Sequence, residues 1–198
     1  MKYRHNDSFA VFREDLEGSL KTLREGGVIL YPTDTVWGLG CDATNSAAVN
    51  SIYSIKQRKV NLNLIILVNG MAMLERYVKE IPEPAMMIEE ASDKPITIIY
   101  PRGRNLAPGV CSDDGSAGIR ITRDEFCREL ITRFRKPLVS TSANMSGDPA
   151  PGNFSEISDS IVKSAGYVVR YRQNDNQKYS PSAIIKVGMD GTIKIIRK

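Results

Sequence analysis

The side chains able to do chemistry in this sequence are hydroxyls, amides and cations, because imidazole is almost missing. The one histidine, His5, lies at the N-terminal end. A serine–histidine triad or a histidine general base therefore has no partner in the body of the chain. Cys41, Cys111 and Cys127 are far apart and form no CxxC pair. That spacing does not suit a zinc site, and it fits free thiols in a reducing compartment. What remains is chemistry by positioned charge, hydroxyl groups and backbone dipoles.

Four segments carry such groups. In Tyr31–Gly40, YPTDTVWGLG, the small polar residues Thr33, Asp34 and Thr35 follow an apolar run and precede what reads as a glycine-bearing turn. Strand ends of α/β sheets are where ligands sit, although a turn with satisfied hydroxyls explains the same pattern. Lys56 and Arg58, with Lys59 beside them, end a helical pattern. A lysine point charge and an arginine fork at that spacing could clamp adjacent phosphates; the helix dipole alone also favours cations there. In Ser140–Gly147, STSANMSG, five hydroxyl or amide side chains crowd into seven residues. Such a loop can cradle phosphate oxygens, or simply form a capped turn. The fourth is Ser116–Arg120, SAGIR, taken with Ser180-Pro-Ser182; Arg120 is a candidate clamp for a carboxylate.

These segments need elements to hold them. Phe9, Phe12, Leu16, Leu20 and Leu23 recur at helical spacing, with Ser8 placed to cap a helix and Gly26-Gly27 to end it. Residues 1–7 then read as a flexible tail. Strands are expected at 28–31, 64–68, 96–100, 118–121, 137–141, 167–171, 183–187 and 192–196. Helices are expected at 46–56, 72–77, 84–91, 124–134 and 154–162. Asp190-Gly191 marks a hairpin turn. Helices alternate with strands, so the fold class is α/β with a mixed sheet. The 198 residues, 41% of them hydrophobic, suit one domain with a real core.

The 27 basic and 23 acidic side chains leave a net charge of +4, compatible with an anionic ligand, with RNA contact, or with a plain mixed surface. No secretory signal or apolar run of membrane length is visible, so a cytoplasmic protein is expected. Gly38-x-Gly40-x-x-Ala43 superficially matches a dinucleotide loop, but its strand ends too early and the ribose-binding acid is missing. No Walker motif occurs. Ser160-x-x-Lys163 lacks the companion motifs of a serine–lysine enzyme.

The run YPTDTVWGLG, KQR, GIR, STSANMSG, SPSA and a terminal IIR resembles the YrdC-type threonylcarbamoyl-AMP synthases, in order and spacing from about Gly26 to Arg197. The resemblance implies a twisted single-domain mixed sheet with flanking helices and a large basic cavity. It implies synthesis of threonylcarbamoyl-AMP and pyrophosphate from L-threonine, bicarbonate and ATP with Mg2+, and no structural metal. Separate transferase proteins would carry the product to adenosine 37 of tRNA. Carried over by position, Lys56, Arg58, Ser142 and Asn144 would be catalytic and hold the phosphates, with Ser116 and Arg197 on the nucleotide. Thr33, Thr35, Arg120, Ser140 and Ser182 would take threonine. The family's longer architecture has a C-terminal accessory domain, which is not expected here.

The chain departs from the family pattern at several positions. Leu62 stands where Lys or Asn is usual, Lys59 where Pro is, Thr122 replaces a Pro, and Ala150 replaces a Ser. Lys59 is a candidate to supply the cation lost at Leu62. Three other readings follow. A carbamoyl-adenylating domain belongs in a much larger chain. An RNA-binding module for tRNA or double-stranded RNA would use Arg170 and Arg172. A weakened paralogue would follow from Leu62 and Ala150.

Overall fold

The computed structural model describes residues 3–57 and 64–198. Its centre is a nine-stranded mixed sheet in the order β7-β1-β2-β6-β3-β5-β4-β8-β9. The strands are β1 (Ile29–Tyr31), β2 (Gly38–Asp42), β3 (Ile65–Val68), β4 (Ile96–Tyr100) and β5 (Ala117–Ile121), then β6 (Leu138–Ser142), β7 (Tyr167–Val168), β8 (Ala183–Val187) and β9 (Ile193–Arg197). The helices are α1 (Tyr3–Arg24), α2 (Ser46–Ile55), α3 (Met71–Tyr77), α4 (Glu83–Ala91), α5 (Glu125–Phe134) and α6 (Asp159–Ser164).

Local chemistry sets several of these boundaries. Asn45 caps α2 by accepting from the amides of Ala47 and Ala48, and Asp124 caps α5 by accepting from Cys127 N at 2.9 Å. Leu16, Leu20 and Leu23 of α1 lie in the core with Phe126, Leu130 and Ile131 of α5. Gly191 adopts φ 81° in the β8–β9 hairpin, a conformation that disfavours a side chain.

Four expectations need correction. Helix α1 begins at Tyr3, not after Ser8, so most of residues 1–7 are helical rather than a tail; a cap-type residue marks where a helix can start, not where it must. The glycine-bearing "turn" after Thr35 is β2, a strand with all five residues buried. Its glycines are a packing device: a Cβ at Gly40 would lie 2.5 Å from the Tyr31 ring and 3.0 Å from Val139 O. The expected helix at 154–162 is a 3-10 turn, Phe154–Glu156, followed by α6, because Ile157 and Ser158 are extended. The strand expected at 167–171 stops at Val168, because the amides of Arg170 and Tyr171 donate to the Asp15 carboxylate at 2.9 and 2.7 Å.

Candidate active site

One face of the sheet floors a cavity of about 490 Å³ that seven neighbouring strands line, from β2 to β9. Ile65 pairs with both Ser140 and Gly118, and Gly118 pairs with Ile99. In that row the missing side chain at Gly118 leaves room in the centre of the floor. Of the residues expected to bind substrate, Thr35, Arg120, Ser140, Ser142, Asn144, Ser182 and Arg197 line the cavity. Thr33, Lys56 and Ser116 stand behind its wall. Arg58, with Lys59 and Leu62, lies outside the described residues.

The turn between β1 and β2 builds one side. Thr33 is buried, and its Oγ1 donates to Val36 O at 2.8 Å and accepts from Thr35 N at 3.0 Å. Its one proton is thereby used, so the 3.0 Å contact between the two hydroxyls has Thr35 as donor. Thr35 is left with its oxygen lone pairs toward the cavity, an acceptor for a ligand N–H or O–H. Asp34, between them, forms an ion pair with Arg120 of β5 at 3.0 Å, the two side chains 12% and 4% exposed. Its other oxygen accepts from Thr122 Oγ1 at 3.3 Å and from Arg123 N at 3.2 Å. Thr122, a departure from the family pattern, thus gives Asp34 a hydroxyl donor that proline could not. The Nε of Arg120 is buried and has no hydrogen-bond partner, a donor whose burial is costly until something accepts from it.

The loop after β6 builds the second side. Lys56, 3% exposed, donates from Nζ to Ser142 O at 2.6 Å and Asn144 O at 2.7 Å, with Asn144 Oδ1 at 3.4 Å. The ammonium therefore sits beneath the loop and fixes its carbonyls, instead of standing in the cavity. Asn144 Nδ2 donates to Met145 O and Asp148 O, which curls the loop back on itself. Asp148 and Ala150 of the same loop also reach the cavity.

The third side is the β4–β8–β9 edge. Ser182 is buried, and its hydroxyl bonds Thr97 Oγ1 of β4 at 2.8 Å. Arg197 of β9 donates from Nε to Ser182 O at 2.9 Å. Arg197 is exposed as a residue, but partial burial of its guanidinium at the cavity, and secondarily the charge of Arg120, hold it below its ordinary pKa. Two guanidiniums facing one cavity oppose each other until an anion lies between them. Ser116 is not on this wall: its hydroxyl donates to Asp114 Oδ1, and Ser112 lines the cavity in its place.

Sequence reasoning missed Asp34, Thr97 and Ser112 as site components. Asp34 was legible as the acid inside a hydroxyl-rich turn. Thr97 is one polar residue in the apolar strand ITIIY, a signal weak until the strand is seen to face a cavity. No group of three or more metal-ligating residues occurs among the described residues, and no described helix is long and apolar enough to cross a membrane. Cys41, Cys111 and Cys127 are free thiols, and burial pushes Cys41 and Cys127 above the ordinary thiol range.

Fold and site together define a mixed-sheet α/β domain whose one face is a walled cavity bearing two guanidiniums and a hydroxyl-rich loop. The chain belongs to the Sua5–YciO–YrdC family, whose model, described as "Telomere recombination", matches residues 21–198. It is 35% identical over 151 residues to a threonylcarbamoyl-AMP synthase of Stenotrophomonas maltophilia, covering 75% of this chain and 81% of that one. It is 32% identical over 184 residues to the synthase of Pseudoalteromonas translucida, covering 90% and 95%. The crystal structure of P. abyssi Sua5 complexed with L-threonine superimposes with a TM-score of 0.73 at 25% identity. That match covers 91% of this chain and 51% of the other, so the chain spans about half of that protein's length.

Proposed function

We propose that the protein joins L-threonine, bicarbonate and ATP into threonylcarbamoyl-AMP, releasing pyrophosphate. The product would supply the N6-threonylcarbamoyl modification of adenosine 37 in tRNA through a separate transferase, which places the protein in the cytoplasm. The observation that carries the reading is the cavity that Arg120, fixed by its buried ion pair with Asp34, shares with Ser140, Ser142 and Asn144 of the loop after β6.

In this reading the Arg120 guanidinium, held by Asp34, binds the threonine carboxylate. Thr35 accepts from the threonine amine. The amine attacks the carbon of bicarbonate, water leaves, and a carbamate forms. A carbamate oxygen then attacks the α-phosphorus of ATP, and the bond from that phosphorus to the pyrophosphate oxygen breaks. Charge on the phosphoryl oxygens is met by Ser142, Asn144 and Arg197, and by Lys56, whose ammonium polarises the loop from behind. Arg58 would add a second cation, and Mg2+ enters with the ATP phosphates. No histidine is needed, because the reaction asks for positioning and charge stabilisation.

The RNA-module reading draws no support from Arg170 and Arg172, the two arginines named for it beside the basic charge. Arg170 pairs with Glu14 and Asp15, and Arg172 with Asp124. Pyrophosphate release from ATP in bicarbonate, with and without L-threonine and with the product identified by mass, tests the proposal. Threonine-dependent release of a threonylcarbamoyl-AMP mass is expected; turnover indifferent to threonine would refute it.

A further inference from the structure

Arg172 lies outside the cavity lining, yet its guanidinium touches both arms of the wall that carries Thr35 and Arg120. Its Nη2 donates to Thr33 O at 2.7 Å and its Nη1 to Asp124 Oδ2 at 2.6 Å. Through the first bond it holds the residue whose hydroxyl receives both Thr35 N and Thr35 Oγ1. Through the second it holds Asp124, whose amide donates to Thr122 Oγ1 at 3.3 Å; that hydroxyl in turn donates to Asp34, the partner of Arg120. One fork thus closes a ring of bonds with Thr35 at one end and Arg120 at the other.

Three further observations set this residue apart from an ordinary surface arginine. Its backbone is left-handed, φ 67°, a conformation that disfavours a residue with a β-carbon and suits glycine. Its side chain is 22% exposed and lies 5.9 Å from the Tyr171 ring centre and 5.7 Å from that of Tyr179, so its plane is held as well as its ends. Finally, residues 173–181 run from Arg172 to Ser182 on the cavity wall. This strap is pinned at Lys178 and Tyr179, by Tyr179 N donating to Gly152 O at 2.9 Å and by a Lys178–Glu156 ion pair.

We propose that Arg172 is the positioning residue of the amino-acid subsite: by bridging Thr33 O and Asp124 it sets the distance between Thr35 and Arg120. The inference rests on the reading that those two residues hold L-threonine. It assigns Arg172 no contact with substrate and no part in the nucleotide side. Its loss therefore weakens threonine binding selectively, because a clamp whose two jaws are misplaced loses affinity while the Lys56-braced loop is undisturbed.

The test is calorimetric binding of L-threonine and, separately, of a non-hydrolysable ATP analogue, with steady-state kinetics alongside. The variants are Arg172→Gly, Arg172→Lys and Asp124→Asn. Arg172→Gly relieves the left-handed backbone while deleting the fork. Asp124→Asn keeps a good helix cap but removes the carboxylate charge, so it serves if the Arg172 variants fold poorly. Arg172→Gly should raise the threonine Kd and KM about tenfold and leave the analogue Kd and kcat within about twofold. Arg172→Lys and Asp124→Asn should fall between it and the parent. Equal weakening of both ligands, or an unchanged threonine Kd in folded variants, overturns the positioning role. A parent protein that fails to bind threonine overturns the reading of the subsite, and the positioning role with it.

Discussion

At the inner wall of the cavity, Thr35 and Arg120 on its surface and Thr33 and Asp34 behind them form one buried network in which most groups hold another in place. On the outer wall, Arg197 stands on β9, a strand with all five residues exposed, and is held by one bond to the Ser182 carbonyl. The inner wall is arranged before any ligand arrives; the outer wall is a hairpin edge whose guanidinium can shift. A small amino acid offers few contacts, so selecting it needs groups fixed in advance. A nucleotide offers many contacts and tolerates an adaptable edge.

This contrast predicts unequal costs for the two arginines. Replacing Arg120 with Ala should have the largest effect, since it leaves Asp34 largely buried with its cation gone. A loss of about 3 kcal/mol in stability is expected, together with roughly 100-fold or more in threonine-dependent kcat/KM. Urea unfolding and pyrophosphate release would measure the two. Arg197→Ala should leave stability within about 0.5 kcal/mol while raising the KM for ATP about tenfold. Equal destabilisation by the two variants would break the comparison.

Between these lies a variant that touches no ligand. Gly40→Ala places a methyl 2.5 Å from the fully buried Tyr31 ring and 3.0 Å from a backbone carbonyl. The ring has nowhere to go, so overpacking should cost about 2 kcal/mol, a fall in Tm of roughly 4–8 °C. A calorimetric scan reads this directly. An unchanged Tm would mean that the inner wall is looser than its packing indicates.

How far the sequence disclosed all this depended on how local the determining physics is. Helix α5 was readable because Asp124 and the apolar spacing behind it lie within one segment. Strands β4 and β8 appeared at their observed limits, each an apolar run with flanking breakers. Strand β2 was misread because Gly38 and Gly40 have the composition of a turn. Only the Tyr31 ring, brought across by the β1–β2 pairing, explains why a strand there needs glycine. The site divides in the same way. Arg120 and the Ser140–Asn144 loop announced themselves by residue type. That Lys56 serves the loop from behind depends on contacts 86 and 88 residues away in the chain. Arg172, which composition offered as a nucleic-acid contact, turns inward for a similar reason: its partners are 48 and 139 residues distant.

The smallest expected effect sharpens the comparison by asking what the inner wall costs in stability. Glu89 of α4 is buried with Oε2 unpartnered, next to the Arg123 that also donates to Asp34. Burial raises its carboxyl pKa; Arg123 opposes this and Asp34 adds to it. Because the folded-state value lies above the unfolded one, its contribution is full below the ordinary glutamate range. That contribution is lost as pH rises through the raised value. Glu89→Gln mimics the protonated form. It should leave stability unchanged at the acid end, remove the decline through that window, and make the protein more stable than the parent at neutral pH. Urea unfolding across a pH series from about 4 to 7 decides it. A variant less stable than the parent at neutral pH would show that the Glu89 carboxylate is answered in the fold, and that the network behind Arg120 carries no such burden.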